Sequence, residues 1–340
     1  MRAALVTPYD TRLRAGGGAV IIRYLIAALE ANSVEVCLWH CRDHPGEIQI
    51  SGLEGEDGRK DWEFTGLPPQ MAFSMVRHAP TEFASLVEQA RHMLTISPVD
   101  AVIVFNALTP GLWVMELASA LCVPYYLMLL DYSFLCPAFT RIRADGSFCQ
   151  GDVAEAHCLP CNVSRLSREK RPVFSALRAL PYPLMLKLGR ASTTLFAAGG
   201  RYHAGGPSVR DERRSDLSHM FGEAAGVIYQ TPTMKEHFHA SGFRNPAETV
   251  QCFGVPEAEH RLKQVQPTDP TVQFVYLSRA TPEWGLDFLL GVWANHFSGK
   301  SDRKLTVISP GIEAWHGPHQ VAQKSSTTTW PRNASRPSGE

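Results

Sequence analysis

Short apolar runs of strand length alternate along this chain with longer segments of helical periodicity, and that alternation restricts the fold more than any other feature. Ala3–Thr7 (AALVT), Val34–Trp39 (VEVCLW), Ala101–Asn106 (AVIVFN), Val123–Leu130 (VPYYLMLL), Gly226–Gln230 (GVIYQ) and Thr249–Phe253 (TVQCF) are rich in β-branched or aromatic residues. Runs so short and apolar fit strands buried on both faces. Between them, Val20–Ala31, Thr81–Thr95, Leu112–Leu121 and Thr233–Ala240 read as helices. The pattern implies an α/β fold, a Rossmann-like, doubly wound parallel sheet with helices over both faces. Such sheets bind ligands at the carboxyl ends of their strands.

A chain of 340 residues accommodates about two domains of roughly 150 residues each. Residues 1–263 form the first, Rossmann-like domain in this reading. Gln264–Pro270 (QVQPTDP) is a polar, proline-bearing linker, and a second α/β pattern follows it. That pattern comprises strand Val272–Leu277, helix Gly285–Phe297 and strand Leu305–Ile308, and then it stops. One strand, one helix and one strand fall short of the roughly 100 residues a domain usually takes. Residues 264–311 are therefore expected to be the beginning of a second Rossmann-like domain that is incomplete here, with a truncation or frameshift as the preferred explanation. Residues 312–340, rich in Ser, Thr, Pro and His and lacking periodicity, are expected to be a disordered tail.

Charge and cysteine content narrow the partners. Lys and Arg number 33 and Asp and Glu number 33, so nucleic-acid binding through bulk positive charge is excluded. No run approaches the roughly 20 uninterrupted apolar residues that a membrane span needs. The best candidate, Pro181–Gly200, is broken by Lys187 and Arg190. The opening MRAALV is too short an apolar run for a signal peptide, so a cytoplasmic location is expected. The 8 cysteines then read as thiols or metal ligands rather than disulfides. Between Arg165 and Arg201, basic residues interleave with Phe174, Leu177, Leu180, Tyr182 and Leu184. This 165–201 segment reads either as peripheral contact with an anionic membrane at its inner face or as a solvated helix with one side on the core.

Two segments carry candidate chemistry. Gly16, Gly17 and Gly18 stand after the first strand and open the first helix. Glycines there let a backbone approach a ligand, and helix N–H groups suit phosphate; a flexible surface turn is the alternative. The second segment runs Leu130-Asp131-Tyr132-Ser133-Phe134-Leu135-Cys136-Pro137, then Asp145-Gly146, Cys149, and His157-Cys158-Leu159-Pro160-Cys161. Cys136, Cys149, Cys158 and Cys161 have the spacing C-x12-C-x8-C-x2-C. Four thiolates so arranged suit a closed structural zinc site, with buried or surface thiols as the alternative. Cys37, Cys41, Cys122 and Cys252 read mostly as core packing. His237 and His239 stand at i and i+2 on a helix, point apart, and read as surface residues rather than a metal pair.

The second segment resembles a stretch of family-four glycosyltransferases of the GT-B fold, which reads His-Asp-Tyr, Cys-Pro-Arg, an Asp-Gly turn, Cys and Cys-x-x-Cys. Gly16–Gly18 falls where those enzymes carry a Gly-Gly loop. Ala224–Pro232, Gly242-Phe243 and Phe253–Pro256 are similar to a later segment of theirs, and Tyr276–Arg279 with Pro282–Asp287 resembles the opening of their donor-binding domain. The likeness covers about residues 1–310. It implies a retaining glycosyltransferase of polysaccharide or cell-envelope glycan assembly, with a nucleotide-diphosphate sugar as donor, a sugar or lipid-linked glycan as acceptor, and no catalytic metal. Residue by residue, it implies that Gly16, Gly17 and Gly18 face the donor phosphates, Arg279 holds the diphosphate, and Asp131 is the catalytic-site carboxylate shaping the sugar pocket.

Four departures count against catalysis. Leu130 stands where the family has His, Ala138 where it has Arg, and Trp284 where it has a phosphate-binding Lys. The family's paired Glu residues have no counterpart. Charge grows on the departing diphosphate during transfer, and a missing cation there costs about 10²–10³ in rate. Weak donor binding and little turnover are therefore expected of this chain. Two other readings stand beside the enzyme: an inactive acceptor-binding or scaffold domain, and a zinc-stabilised nucleotide-binding module.

Overall fold

The apolar runs become strands of an eight-stranded sheet. The computed structural model describes residues 1–11, 17–42, 47–54, 60–66, 80–107, 110–136, 140–143, 147–149, 184, 207–252, 272–278, 285–297 and 302–308. Its strands are β1 (Arg2–Thr7), β2 (Glu35–Cys41), β3 (Gln49–Glu54), β4 (Lys60–Thr65), β5 (Ala101–Val104), β6 (Tyr125–Leu129), β7 (Gly226–Tyr229) and β8 (Glu248–Val250). They lie in the order β3-β4-β2-β1-β5-β6-β7-β8, and every pairing is parallel except β3 with β4. The architecture is thus α/β and mainly parallel, as the alternation requires. β1 and β5 are direct neighbours in register from Ala3 opposite Ala101 to Val6 opposite Val104.

Helices cover both faces because the strands are apolar on both. α1 (Gly17–Ala31) buries Ala19, Ile22 and Ile26 along one stripe, against Leu5, Leu38, Phe105 and Met128. The other face carries α2 (Pro80–Ile96), α3 (Gly111–Ala120), α4 (Pro207–Glu223) and α5 (Pro232–Ala240). Their Leu86, Trp113, Phe221 and Phe238 join the strand residues Trp39, Trp62, Val104 and Tyr229 in the larger core. Trp39 and Trp62 stack at 4.0 Å with an interplanar angle of 6°, worth about 0.5–1.5 kcal/mol beyond burial. The first residue of α3, Gly111, has no room for a side chain, since a Cβ there would lie 2.2 Å from the Asn106 carbonyl oxygen. α5 starts where Thr231 caps the Met234 N–H at 3.1 Å and Pro232 takes the first helical position, which is ordinary N-terminal chemistry.

The chain divides into Met1–Ala258 and Glu259–Glu340. In the second unit, β9 (Val272–Leu277) pairs in parallel with β10 (Arg303–Ile308), and α6 (Leu286–His296) sets Trp293 edge-on against Phe274 at 5.5 Å. Residues 309–340, including the tail assigned above, lie outside the described residues.

Four elements depart from the expected pattern. β3 and β4 form an antiparallel edge pair, and α4 stands where no helix was read. The strand expected over Thr249–Phe253 is shorter and earlier, at Glu248–Val250.

Candidate functional site

From β1 the chain passes to β2 and then to β3 at the outer edge, returns to β4 between β3 and β2, and crosses from there to β5 on the other side of β1. The strand order therefore reverses between β1 and β5. In an open α/β sheet, this switch point opens a crevice outside the carboxyl ends of the strands. Around it stand the end of β1, the start of α1, and the loops that leave β5 and β6.

Each segment is fixed by its own polar contacts. The Thr7 hydroxyl donates to the Tyr9 carbonyl at 2.7 Å and turns the chain out of β1. The Leu130 N–H donates to the Phe105 carbonyl at 3.3 Å, which extends the β5–β6 pairing by one step. Asp131 Oδ1 accepts the Ser133 N–H at 2.8 Å, and Ser133 Oγ accepts the Ala107 N–H at 2.8 Å. Ser133 thereby ties the two loops together and holds the carboxylate in place. Burial pushes the Asp131 carboxyl up from its ordinary value, partly countered by the Ser133 hydroxyl and N–H.

The glycines at the start of α1 face the same crevice. A Cβ on Gly18 would meet Leu130 Cδ1 at 3.7 Å, and a Cβ on Gly17 would meet nothing within 4 Å. Neither distance is a clash, so the packing of the protein does not itself demand glycine at these positions. The first turn of α1 contains no acidic side chain, which leaves its positive dipole end free of a competing carboxylate. Open space at a helix N-terminus suits an approaching phosphate.

Of the residues singled out from the sequence, Gly17, Gly18, Leu130 and Asp131 come together here. Gly16, Arg279, Trp284, Cys158 and Cys161 lie outside the described residues. Of segment 165–201, only Leu184 is described, and it is exposed. Cys136 and Cys149 are free and half-buried. Among the described residues, no group of three or more His, Cys, Asp or Glu side chains is placed to hold a metal, and none of the described helices is long and apolar enough to cross a membrane.

The other cysteines divide. Cys37 is buried, its thiol pushed up to about 12 by desolvation. Cys122 and Cys252 are exposed rather than packed in the core. His237 and His239 do point apart, but they are half-buried and engaged rather than free surface residues: His237 Nδ1 lies 3.1 Å from the Tyr132 hydroxyl, and His239 Nε2 lies 2.7 Å from Glu248.

Two polar residues near the end of β1 carried no sequence signal. Thr11 is fully buried and His40 is 4% exposed. The Thr11 hydroxyl and both His40 ring nitrogens find no hydrogen-bond partner among the described residues. His40 falls in an apolar strand, opposite Thr7 in register, where periodicity alone reads as core.

The sequence matches no protein-family model and no curated protein. Among solved structures, sucrose-phosphate synthase from Thermosynechococcus elongatus is similar at 11% identity and a TM-score of 0.46, over 91% of this chain and 62% of that one. The apo form of the lipopolysaccharide outer core galactosyltransferase WaaB matches at 11% identity and 0.45, over 92% and 63%. A structure described as trehalose-6-phosphate from E. coli bound with UDP-2-fluoro glucose matches at 13% identity and 0.42, over 91% and 65%. This chain thus spans less than two thirds of each of these proteins. TM-scores below 0.5 do not define its fold, which is given by its own strand order.

Proposed function

We propose that this chain is a GT-B-type, retaining glycosyltransferase unit that uses a nucleotide-diphosphate sugar. Its acceptor in this reading is a sugar or lipid-linked glycan of polysaccharide or cell-envelope assembly, met in the cytoplasm at the inner face of the membrane. One observation carries the reading. The two segments that bear the family resemblance, Gly17–Gly18 and Leu130–Asp131, are far apart in sequence and meet at the switch point of the sheet, around space that the fold leaves open.

In the proposed reaction, the bond from the anomeric carbon to the diphosphate oxygen breaks, and the acceptor hydroxyl oxygen bonds to that carbon from the same face. The hydroxyl proton passes to the departing phosphate. The N–H groups of the first turn of α1 stabilise the growing negative charge, and Arg279 is the residue that the family resemblance implies for the diphosphate. Asp131, held by Ser133, accepts hydrogen bonds from sugar hydroxyls. The sulfur set Cys136, Cys149, Cys158 and Cys161 would hold a structural zinc in the loop beyond β6.

A second reading, an acceptor-binding domain without catalysis, is favoured by Leu130. Its methyl group lies against the Gly18 position, where the family's polar His would contact sugar. Calorimetry with nucleoside diphosphates and their sugars, alongside radiolabelled sugar transfer, tests both. The informative variant is Gly17→Glu. An acid in the first helical turn is stabilising, and nothing lies within 4 Å of a Cβ there, so the fold is kept while phosphate is repelled. The proposal expects weak nucleotide binding that Gly17→Glu abolishes, with little transfer. Unchanged nucleotide affinity in Gly17→Glu refutes the assignment of this loop.

A further inference from the structure

Beyond Asp131, the described residues 140–143 and 147–149 lie side by side. Ile142 pairs with Phe148, and the Cys149 N–H donates to the Arg141 carbonyl at 2.7 Å. Arg141 adopts a φ of 57° and donates from Nε to the Cys149 carbonyl at 2.9 Å. Its guanidinium carbon lies 4.9 Å from the Phe148 ring centroid and 5.7 Å from that of Tyr132. His237 reaches the same spot from α5, its ring 5.2 Å from Phe148 and 5.7 Å from Tyr132.

Arg141 is 3% exposed. Among the described residues its Nη1 nitrogen has no hydrogen-bond partner, and no carboxylate pairs with it. A buried guanidinium lacking an anion is costly, because a charge taken from water needs both a counter-charge and acceptors for its N–H groups. The two rings offset part of the charge from their faces, but a Phe ring has no lone pair for an in-plane N–H. Nor does His237 add a competing charge. Desolvation, and then the Arg141 charge, hold its pKa below the ordinary value, so the imidazole is neutral near pH 7. Among the described residues, Arg141 is thus a cation facing neutral donors and acceptors.

We propose that Arg141, framed by Tyr132, Phe148 and His237, is a recognition site for an oxyanion, a phosphate or carboxylate group carried by the acceptor. The planar guanidinium matches such groups in two-point geometry, and the Tyr132 hydroxyl and His237 add neutral polar contacts beside it. Phe148, 48% exposed, is the gate. An exposed ring changes rotamer within nanoseconds, and its departure opens the guanidinium to solvent. The inference rests on the reading above, that ligands bind at the carboxyl ends of β1, β5 and β6, and it adds that the acceptor is anionic.

The test uses direct binding to the full chain, with inorganic phosphate, glucuronate and, as a neutral control, glucose. Phosphate or glucuronate is expected to bind the unaltered chain and to lose about tenfold or more in affinity in Arg141→Gln. Phe148→Ala is expected to tighten binding. No binding of either anion, or affinity in Arg141→Gln within about twofold of the unaltered chain, overturns the proposal. Should Arg141→Gln fail to fold, Arg141→Lys and Phe148→Ala carry the test: equal affinity in both and in the unaltered chain refutes it. Anion binding that depends on Arg141, in a chain that transfers no sugar to any acceptor, keeps this site and removes the glycosyltransferase reading. Sugar transfer with Arg141→Gln binding anions normally does the reverse.

Discussion

Glu248, the first residue of β8, should make the stability of the first unit depend on acid in a defined window. Its carboxylate accepts the Asn245 N–H at 2.8 Å, the Tyr229 hydroxyl at 3.0 Å, Lys235 Nζ at 3.1 Å and His239 Nε2 at 2.7 Å. Burial alone would raise its pKa. The donors, led by the Asn245 N–H, more than reverse this and hold it at about 2 against an ordinary 4.5. A difference of roughly 2.5 in pKa, at about 1.4 kcal/mol for each, bounds the linked stability at about 3 kcal/mol. Lys235 and His239 are partly solvated, at 32% and 24% exposed, and water weakens their share, so about 2 kcal/mol is expected. Because the folded pKa is depressed, the contribution is complete above about pH 4.5 and lost as pH falls toward about 2. Glu248→Gln keeps the shape and removes the charge. Urea unfolding of both proteins from neutral pH down to about pH 2 should show a gap of about 2 kcal/mol that closes on acidification. A gap that stays constant, or widens, refutes the assignment.

Gly111→Ala should destabilise the fold by roughly 1–3 kcal/mol, since the added carbon would lie 2.2 Å from the Asn106 carbonyl and 3.2 Å from Val104 Cγ1; a urea midpoint within error of the unaltered chain would show that α3 can shift freely. If Cys136, Cys149, Cys158 and Cys161 hold structural zinc, the purified chain contains about one zinc per molecule and loses thermal stability with a chelator; metal analysis without zinc leaves only thiols.

The parts of the fold legible in the sequence are those whose burial is uniform. Ala3–Val6 and Ala101–Val104 are apolar throughout, and the middle of a parallel sheet is the place that suits them. β4 was illegible for the opposite reason. Its KDWEFT alternates like a half-solvated strand, yet Asp61 and Glu63 are both buried. Asp61 accepts the Leu38 N–H at 2.7 Å and Glu63 faces Arg42 at 3.5 Å, partners from β2 and its end that no local pattern reveals. β3 is an exposed edge with Gly52 inside it. α4 hides because PSVRDERRSDLSHMFGE is largely charged, and its described buried apolar residues, Leu217, Met220 and Phe221, fall in the last two turns.

The site divides in the same way. Gly17, Gly18 and Asp131 stand out by motif. The Ser133 tether to Ala107, and the ring frame around Arg141, exist only once the loops close.

Hydrogen exchange on the full chain, with and without a nucleotide-diphosphate sugar, tests the central claim most directly, because it locates the ligand whether or not sugar is transferred. The account predicts slowed exchange in the first turn of α1, from Gly18 to Ile22, and in Asp131–Phe134, with β3 and the outer turns of α2 unchanged. Ligand binding that protects residues elsewhere and leaves both of these segments exchanging at their free rates would contradict it.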